Sequence, residues 1–178
     1  MVSIRRLCLL AGFALFLIGA GEVRAEEGTV SAMAPWEGTG QIFAAGPDAR
    51  LLLGSFSGIL YVDEGKGTLD AALMRCPAIQ RLAMKQDRVS ANGHCVIYHG
   101  NDNLIYADWS CKGRPGACVG EMKFTGGEGE FKGISGGGKM VLRAALVETA
   151  LNLRDGEIVR NAVGLAVWPE LKYSVPGR

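Results

Sequence analysis

Asn103–Cys111 reads NLIYADWSC, and its alternation decides the fold class. Successive side chains of an extended segment point to opposite faces. Ile105, Ala107, Trp109 and Cys111 therefore share one face, and Leu104, Tyr106, Asp108 and Ser110 share the other. The second set carries the polar groups, which cost less in water than in a core. The Trp109 face is expected to point inward, and the segment reads as a half-buried strand.

Working outward, the same kind of run recurs along the chain between glycine-rich breaks. Strands are expected at about 37–44, 50–62, 68–76, 93–99, 103–111, 117–125, 139–147 and 158–168, with a short extra strand over 79–84. Gly46, Pro47 and Asp48 fold back the first hairpin, and Asp63–Gly67 (DEGKG) the next. Gly100–Asp102 and Asp155–Gly156 supply the positive φ of tight hairpins. Leu69–Cys76 contains helix-forming residues after Thr68, but Pro77 stops any helix after barely two turns. Leu142–Leu153 has an apolar majority without a polar face, and both stretches are read as strand. Eight or nine short strands joined by short turns form an antiparallel meander, which hides its edges best by closing into a barrel. The expected fold is all-β: an eight-stranded, up-and-down, calycin-like barrel whose interior is filled by side chains or holds one small ligand.

Before this region, Arg5 and Arg6 precede Leu7–Ala20, fourteen residues without a charge, and small Val23 and Ala25 follow. That is the pattern of a secretory signal peptide cleaved after Ala25. The run is shorter than the roughly 20 residues that span a bilayer. Cys8 stands at the start of the apolar run and not at its end, so it cannot serve a lipoprotein signal. Residues 1–25 are expected to be the leader, 26–35 a flexible lead-in and 36–170 the barrel domain, in a periplasmic or secreted protein. Arg5 and Arg6 do not separate general secretory from twin-arginine export. The net charge of +1 leaves no surplus for gripping a polyanion, so dedicated nucleic-acid binding is disfavoured.

Cysteine usage agrees with export. Beyond the leader the chain has Cys76, Cys95, Cys111 and Cys118, an even count that reads as two disulfides in one of three connectivities. The pairing Cys76–Cys95 with Cys111–Cys118 is favoured, because the second pair brackets KGRPGA, whose Pro115 and Gly116 suit a turn. The spacings do not match the close cysteine pairs of a zinc site. No metal or cofactor is expected.

Gly126–Gly138 reads GGEGEFKGISGGG. It lacks the Lys and Ser/Thr of a phosphate-cradling loop, and no βαβ unit follows. It reads instead as a long structural loop that lets Phe131 and Ile134 fold under the barrel as a plug. Here the chain resembles the superfamily of plant allene oxide cyclases and dirigent proteins and their small exported bacterial relatives, which carry a GG[TS]GxFxGxxG-like stretch between two late strands. Gly126, Gly127, Gly129, Phe131, Gly133 and Gly136 fall in register with it, and Glu128 replaces the usual small hydroxyl residue. The order of Trp36, Gly38, Gly40, Cys95, Trp109, Cys111, Cys118 and Gly120 extends the resemblance over some 110 residues. The resemblance implies an eight-stranded antiparallel barrel with a central cavity. The plant cyclase's catalytic residues do not map onto positions of this chain, so cyclase activity draws no support from it.

Candidate chemistry is sparse. His94 and His99 lie five apart on one strand, so they face opposite sides and cannot jointly hold a metal. Glu121, Glu128 and Glu130 are interleaved with Lys123, Lys132 and Lys139, the pattern of a solvated mixed-charge face. No serine sits in a nucleophile elbow. The leading expectation is a non-enzymatic barrel that binds an apolar small molecule or serves the cell envelope, with Ile105, Ala107 and Trp109 lining the ligand cavity. The alternatives are an isomerase or cyclase acting on a lipid-like substrate in the cavity, and a structural or adhesive module. An apolar lining favours carriage, convergent polar groups favour catalysis, and a packed interior favours the module.

Overall fold

The computed structural model describes residues 25–145, 156 and 158–177. Eight strands follow one another: β1 (Glu26–Gly46), β2 (Ala49–Val62), β3 (Ala72–Ala83), β4 (Arg88–Tyr98), β5 (Leu104–Arg114), β6 (Ala117–Glu128), β7 (Ser135–Ala144) and β8 (Ile158–Val175). Each pairs antiparallel with its neighbour in sequence, and β8 pairs with β1 to close the barrel. No edge is left to template aggregation. The described residues contain no α-helix, only 3-10 turns at Met84–Gln86 and Gly129–Phe131.

Period-two alternation builds the core. On β5, Ile105 and Ala107 are fully buried and Trp109 and Cys111 nearly so, while Asp108 and Ser110 are exposed. The inward face is the one the alternation assigns. The two disulfides join Cys76 to Cys95 and Cys111 to Cys118, each across adjacent strands, with all four residues buried. The Cys76–Cys95 bridge crosses the place where the β3–β4 ladder is interrupted beside Pro77, whose ring leaves no N–H to donate. The ladder resumes at Ala78 opposite Gly93 with no slip in register.

Several boundaries differ from the sequence reading. Strand β1 starts at Glu26, ten residues before Trp36, so the lead-in expected to be flexible at 26–35 is paired strand, with Glu26–Val30 opposite Leu171–Val175. Ala32 and Ala34 enter the core, and such small side chains give little hydropathic alternation. The barrel likewise extends past residue 170, with Leu171 and Val175 fully buried. Thr68–Ala71 is a turn, not the start of a strand, and Asp70 holds it by accepting the Val62 N–H at 2.8 Å. β3 then runs unbroken through Pro77, so the expected separate strand at 79–84 is its second half. The strand expected at 139–147 starts earlier, at Ser135, and its described part ends at Ala144.

The glycine segment is mostly strand. Gly126–Glu128 end β6, Ser135–Gly138 begin β7, and only 129–134 form the connection. Gly129 and Gly133 adopt φ of +60° and +81°, values that a Cβ disfavours, and so turn the chain within six residues. That turn folds Phe131 and Ile134 inward, where they are 0% and 3% exposed. Residues 1–24 of the expected leader, Val147, Leu153 and Asp155 lie outside the described residues.

Candidate functional site

The links β2–β3, β4–β5 and β6–β7 and the outer termini of β1 and β8 gather at one end of the barrel. Phe131, Ile134 and Leu69 plug that end. The hairpins β1–β2, β3–β4 and β5–β6 form the opposite, open end.

Beneath the open end lies an apolar cavity of about 100 Å³. Its walls include Trp36 from β1, Phe56 from β2, Ala91 from β4, Trp109 from β5 and Leu142 from β7, with the Pro115–Gly116 turn at the rim. The Phe56 ring lies between the two indoles, 5.5 Å from Trp36 and 5.6 Å from Trp109 between centroids, in tilted and edge-on arrangements. These are the separations that aromatic quadrupoles favour.

Two glycines seat the indoles. A Cβ on Gly93 would lie 2.6 Å from Trp109 Nε1, and one on Gly164 would lie 2.3 Å from Trp36 Cζ2. Each indole thus rests over the bare backbone of a glycine on the neighbouring strand.

The chemistry of the cavity is narrow. No polar or charged side chain is fully buried among the described residues, and half-buried Gln80 is the one amide in the lining. The Nε1 atoms of Trp36 and Trp109, like that of Trp168 outside the cavity, are buried and have no hydrogen-bond partner among the described residues. An unmet buried donor costs about 1–3 kcal/mol. Drug-sized ligands occupy roughly 300–1,000 Å³, so this cavity admits a single ring or a short branched chain.

Of the expected lining residues, Trp109 borders the cavity. Ile105 and Ala107 share its face and are fully buried, but they pack nearer the plugged end and do not line the space. Trp36 and Phe56 were not expected there. Alternation with Gly38 and Gly40 marks Trp36 as an inward residue, whereas Phe56 sits in a run, Leu51–Leu60, without clean alternation.

A second cluster lies outside the barrel. Asp108 Oδ1 is 2.6 Å from His94 Nδ1, and the His94 ring stacks on Tyr106 at 6.4 Å. The Tyr106 hydroxyl donates to Glu128 Oε1 at 2.5 Å. That hydrogen bond, with a little desolvation and the carboxylate charge, raises the phenol above its ordinary pKa of 10.0. His94, Asp108, Glu121 and Lys123 line a wide outer groove. Among the described residues no hydroxyl or thiol is bonded to the other ring nitrogen of His94, so the pair has an orienting carboxylate but no nucleophile. It is an exposed hydrogen-bonded pair on the outer wall. His99 lies at the plugged end, edge-on to Phe131 at 5.9 Å. Glu121, Glu128 and Glu130 are exposed, and Glu130 donates its backbone N–H to Asn103 in the plug turn.

No protein-family model matches the chain, and no curated protein matches it. Among solved structures, a pterocarpan synthase dirigent protein is similar at a TM-score of 0.41 and 12% sequence identity, covering 86% of this chain and 88% of that one.

Proposed function

We propose that the barrel is a non-enzymatic binding protein of the cell exterior or periplasm. On this reading it takes a small apolar ring that bears one hydrogen-bond acceptor into the space between Trp36, Phe56 and Trp109. The observation that carries the reading is the pair of buried, unpartnered indole N–H groups in the walls of an otherwise apolar cavity. A ligand carbonyl or ether oxygen would recover what those donors lost on folding, while its ring would take the place of water. Two disulfides suit an oxidising compartment. No described helix is long and apolar enough to cross a membrane.

An isomerase or cyclase would need a proton donor or acceptor against the substrate, and the described lining offers only amide, hydroxyl and indole groups. The structural-module reading draws on the packed half of the barrel, from the Cys76–Cys95 disulfide to Phe131.

Tryptophan emission tests the proposal. Acetophenone should perturb the spectrum saturably and bind roughly tenfold more tightly than toluene, the margin expected of one recovered hydrogen bond. If neither compound changes the emission, the cavity is packing and the carrier reading falls.

A further inference from the structure

The outer face near the open end carries a second site of different chemistry. Arg81 on β3 lies opposite Ser90 on β4, and Ser90 lies opposite Lys112 on β5. Arg88, two residues before Ser90 on β4, points to the same outer side. Three cations therefore surround one hydroxyl, Arg81 and Lys112 as its direct cross-strand neighbours and Arg88 beside it on the same strand. Like charges gathered this closely repel one another. No acid among the described residues pairs with any of the three, since Asp48 is engaged by Lys85 at 2.7 Å and Asp87 makes no ion pair.

The surface there is concave. Arg81, Arg88, Ser90 and Lys112 border a depression of about 590 Å³ where Ala45, Ala49 and Ala83 leave room beside them. Arg50 completes the wall, its guanidinium held by the carbonyls of Gly46 and Ala49.

We propose that this depression binds a phosphate-bearing anion, with the two guanidinium groups and the ammonium around its oxygens and Ser90 donating from the floor. Arginine forks match phosphate oxygens two at a time and lysine adds a point charge. An anion held there also removes the repulsion that the three cations otherwise exert on one another. The same chemistry is offered by a free phosphorylated molecule and by a phospholipid headgroup.

The test compares two triple variants of the purified protein. Arg81→Gln/Arg88→Gln/Lys112→Gln empties the depression, while Lys139→Gln/Arg143→Gln/Arg160→Gln removes equal charge from exposed positions on β7 and β8, away from it. All six residues are exposed, and a melting curve checks that both variants fold. Titration with inorganic pyrophosphate should show roughly tenfold weaker binding in the first triple and little change in the second, in keeping with three modest exposed contacts. Cosedimentation with phosphatidylglycerol vesicles, against phosphatidylcholine alone, separates the sources. Vesicle binding that the first triple loses and the second keeps assigns a lipid headgroup, and pyrophosphate binding without sedimentation assigns a free phosphorylated molecule. Equal losses in both triples would reduce the site to diffuse charge and overturn the proposal, as would a parent protein that binds neither probe.

Discussion

At one end of the barrel Phe131 and Ile134 fold beneath a six-residue turn and are 0% and 3% exposed. At the other, Trp36, Phe56 and Trp109 enclose about 100 Å³ of unfilled space. Charge divides the same way. Within three residues of the open-end strand termini and in the described links there, eight Lys and Arg face only Asp48 and Asp87. The plugged end, counted alike, has eight Asp and Glu against four Lys and Arg. Neighbouring ladders of one barrel thus finish as a packed, acidic floor and a cationic mouth over an apolar space. Packing is thereby concentrated at one end and the proposed recognition at the other, as when a rigid scaffold positions variable rims.

The largest expected effect breaks the floor. Phe131→Ala should cost about 3–5 kcal/mol, a large share of the roughly 5–15 kcal/mol that holds a domain together, and calorimetry should show a sharply lower melting temperature. Phe56→Ala at the open end should cost clearly less, because its ring is only partly buried and borders the cavity. Equal losses would show that the two ends are packed alike. Glu130→Ala, in the plug turn but exposed, should be nearly neutral.

A smaller effect sharpens the open end. Gly93→Ala places a methyl 2.6 Å from both Trp109 Nε1 and the Pro77 carbonyl oxygen, so the indole must move off its seat. We expect a loss of about 1–3 kcal/mol, a shifted tryptophan emission and weakened acetophenone binding. Unchanged emission would mean that the seat does not position Trp109.

The smallest effect lies on the outer wall. The Glu128 hydrogen bond raises the Tyr106 pKa, so the folded protein prefers the protonated phenol more than the unfolded chain does. Its contribution is fully present below the ordinary tyrosine pKa of about 10 and is lost as pH rises through the higher folded value. Ultraviolet titration should resolve one tyrosine that ionises late, and Glu128→Gln should return it toward the others. If the late ionisation persists in that variant, the Glu128 contact is not its cause.

Much of the fold was legible locally. Alternation over Leu104–Cys111 assigned the inward face, and the cysteine count with the KGRPGA turn pointed to the pairing found. The limits of β1 and β3 were not legible for local reasons as well. Ala32 and Ala34 fit a barrel interior because they are small, which is why they leave no apolar signature, and Pro77 looked like a terminator while a neighbouring disulfide carries the strand past it. The glycine segment announced its buried Phe131 but not that most of its glycines extend β6 and β7.

The sequence by itself determined which faces point inward and where most turns fall, because each depends on neighbours along the chain. Only the tertiary structure decided that Trp36, Phe56 and Trp109 share one cavity, that His94 meets Asp108, and that Arg81, Arg88 and Lys112 surround Ser90. Those contacts join different strands and are set by cross-strand register and closure. The net charge of +1 shows the same division: it reads as featureless along the chain, yet an up-and-down meander sends alternate turns to opposite ends, and so collects basic turns at one end and acidic turns at the other.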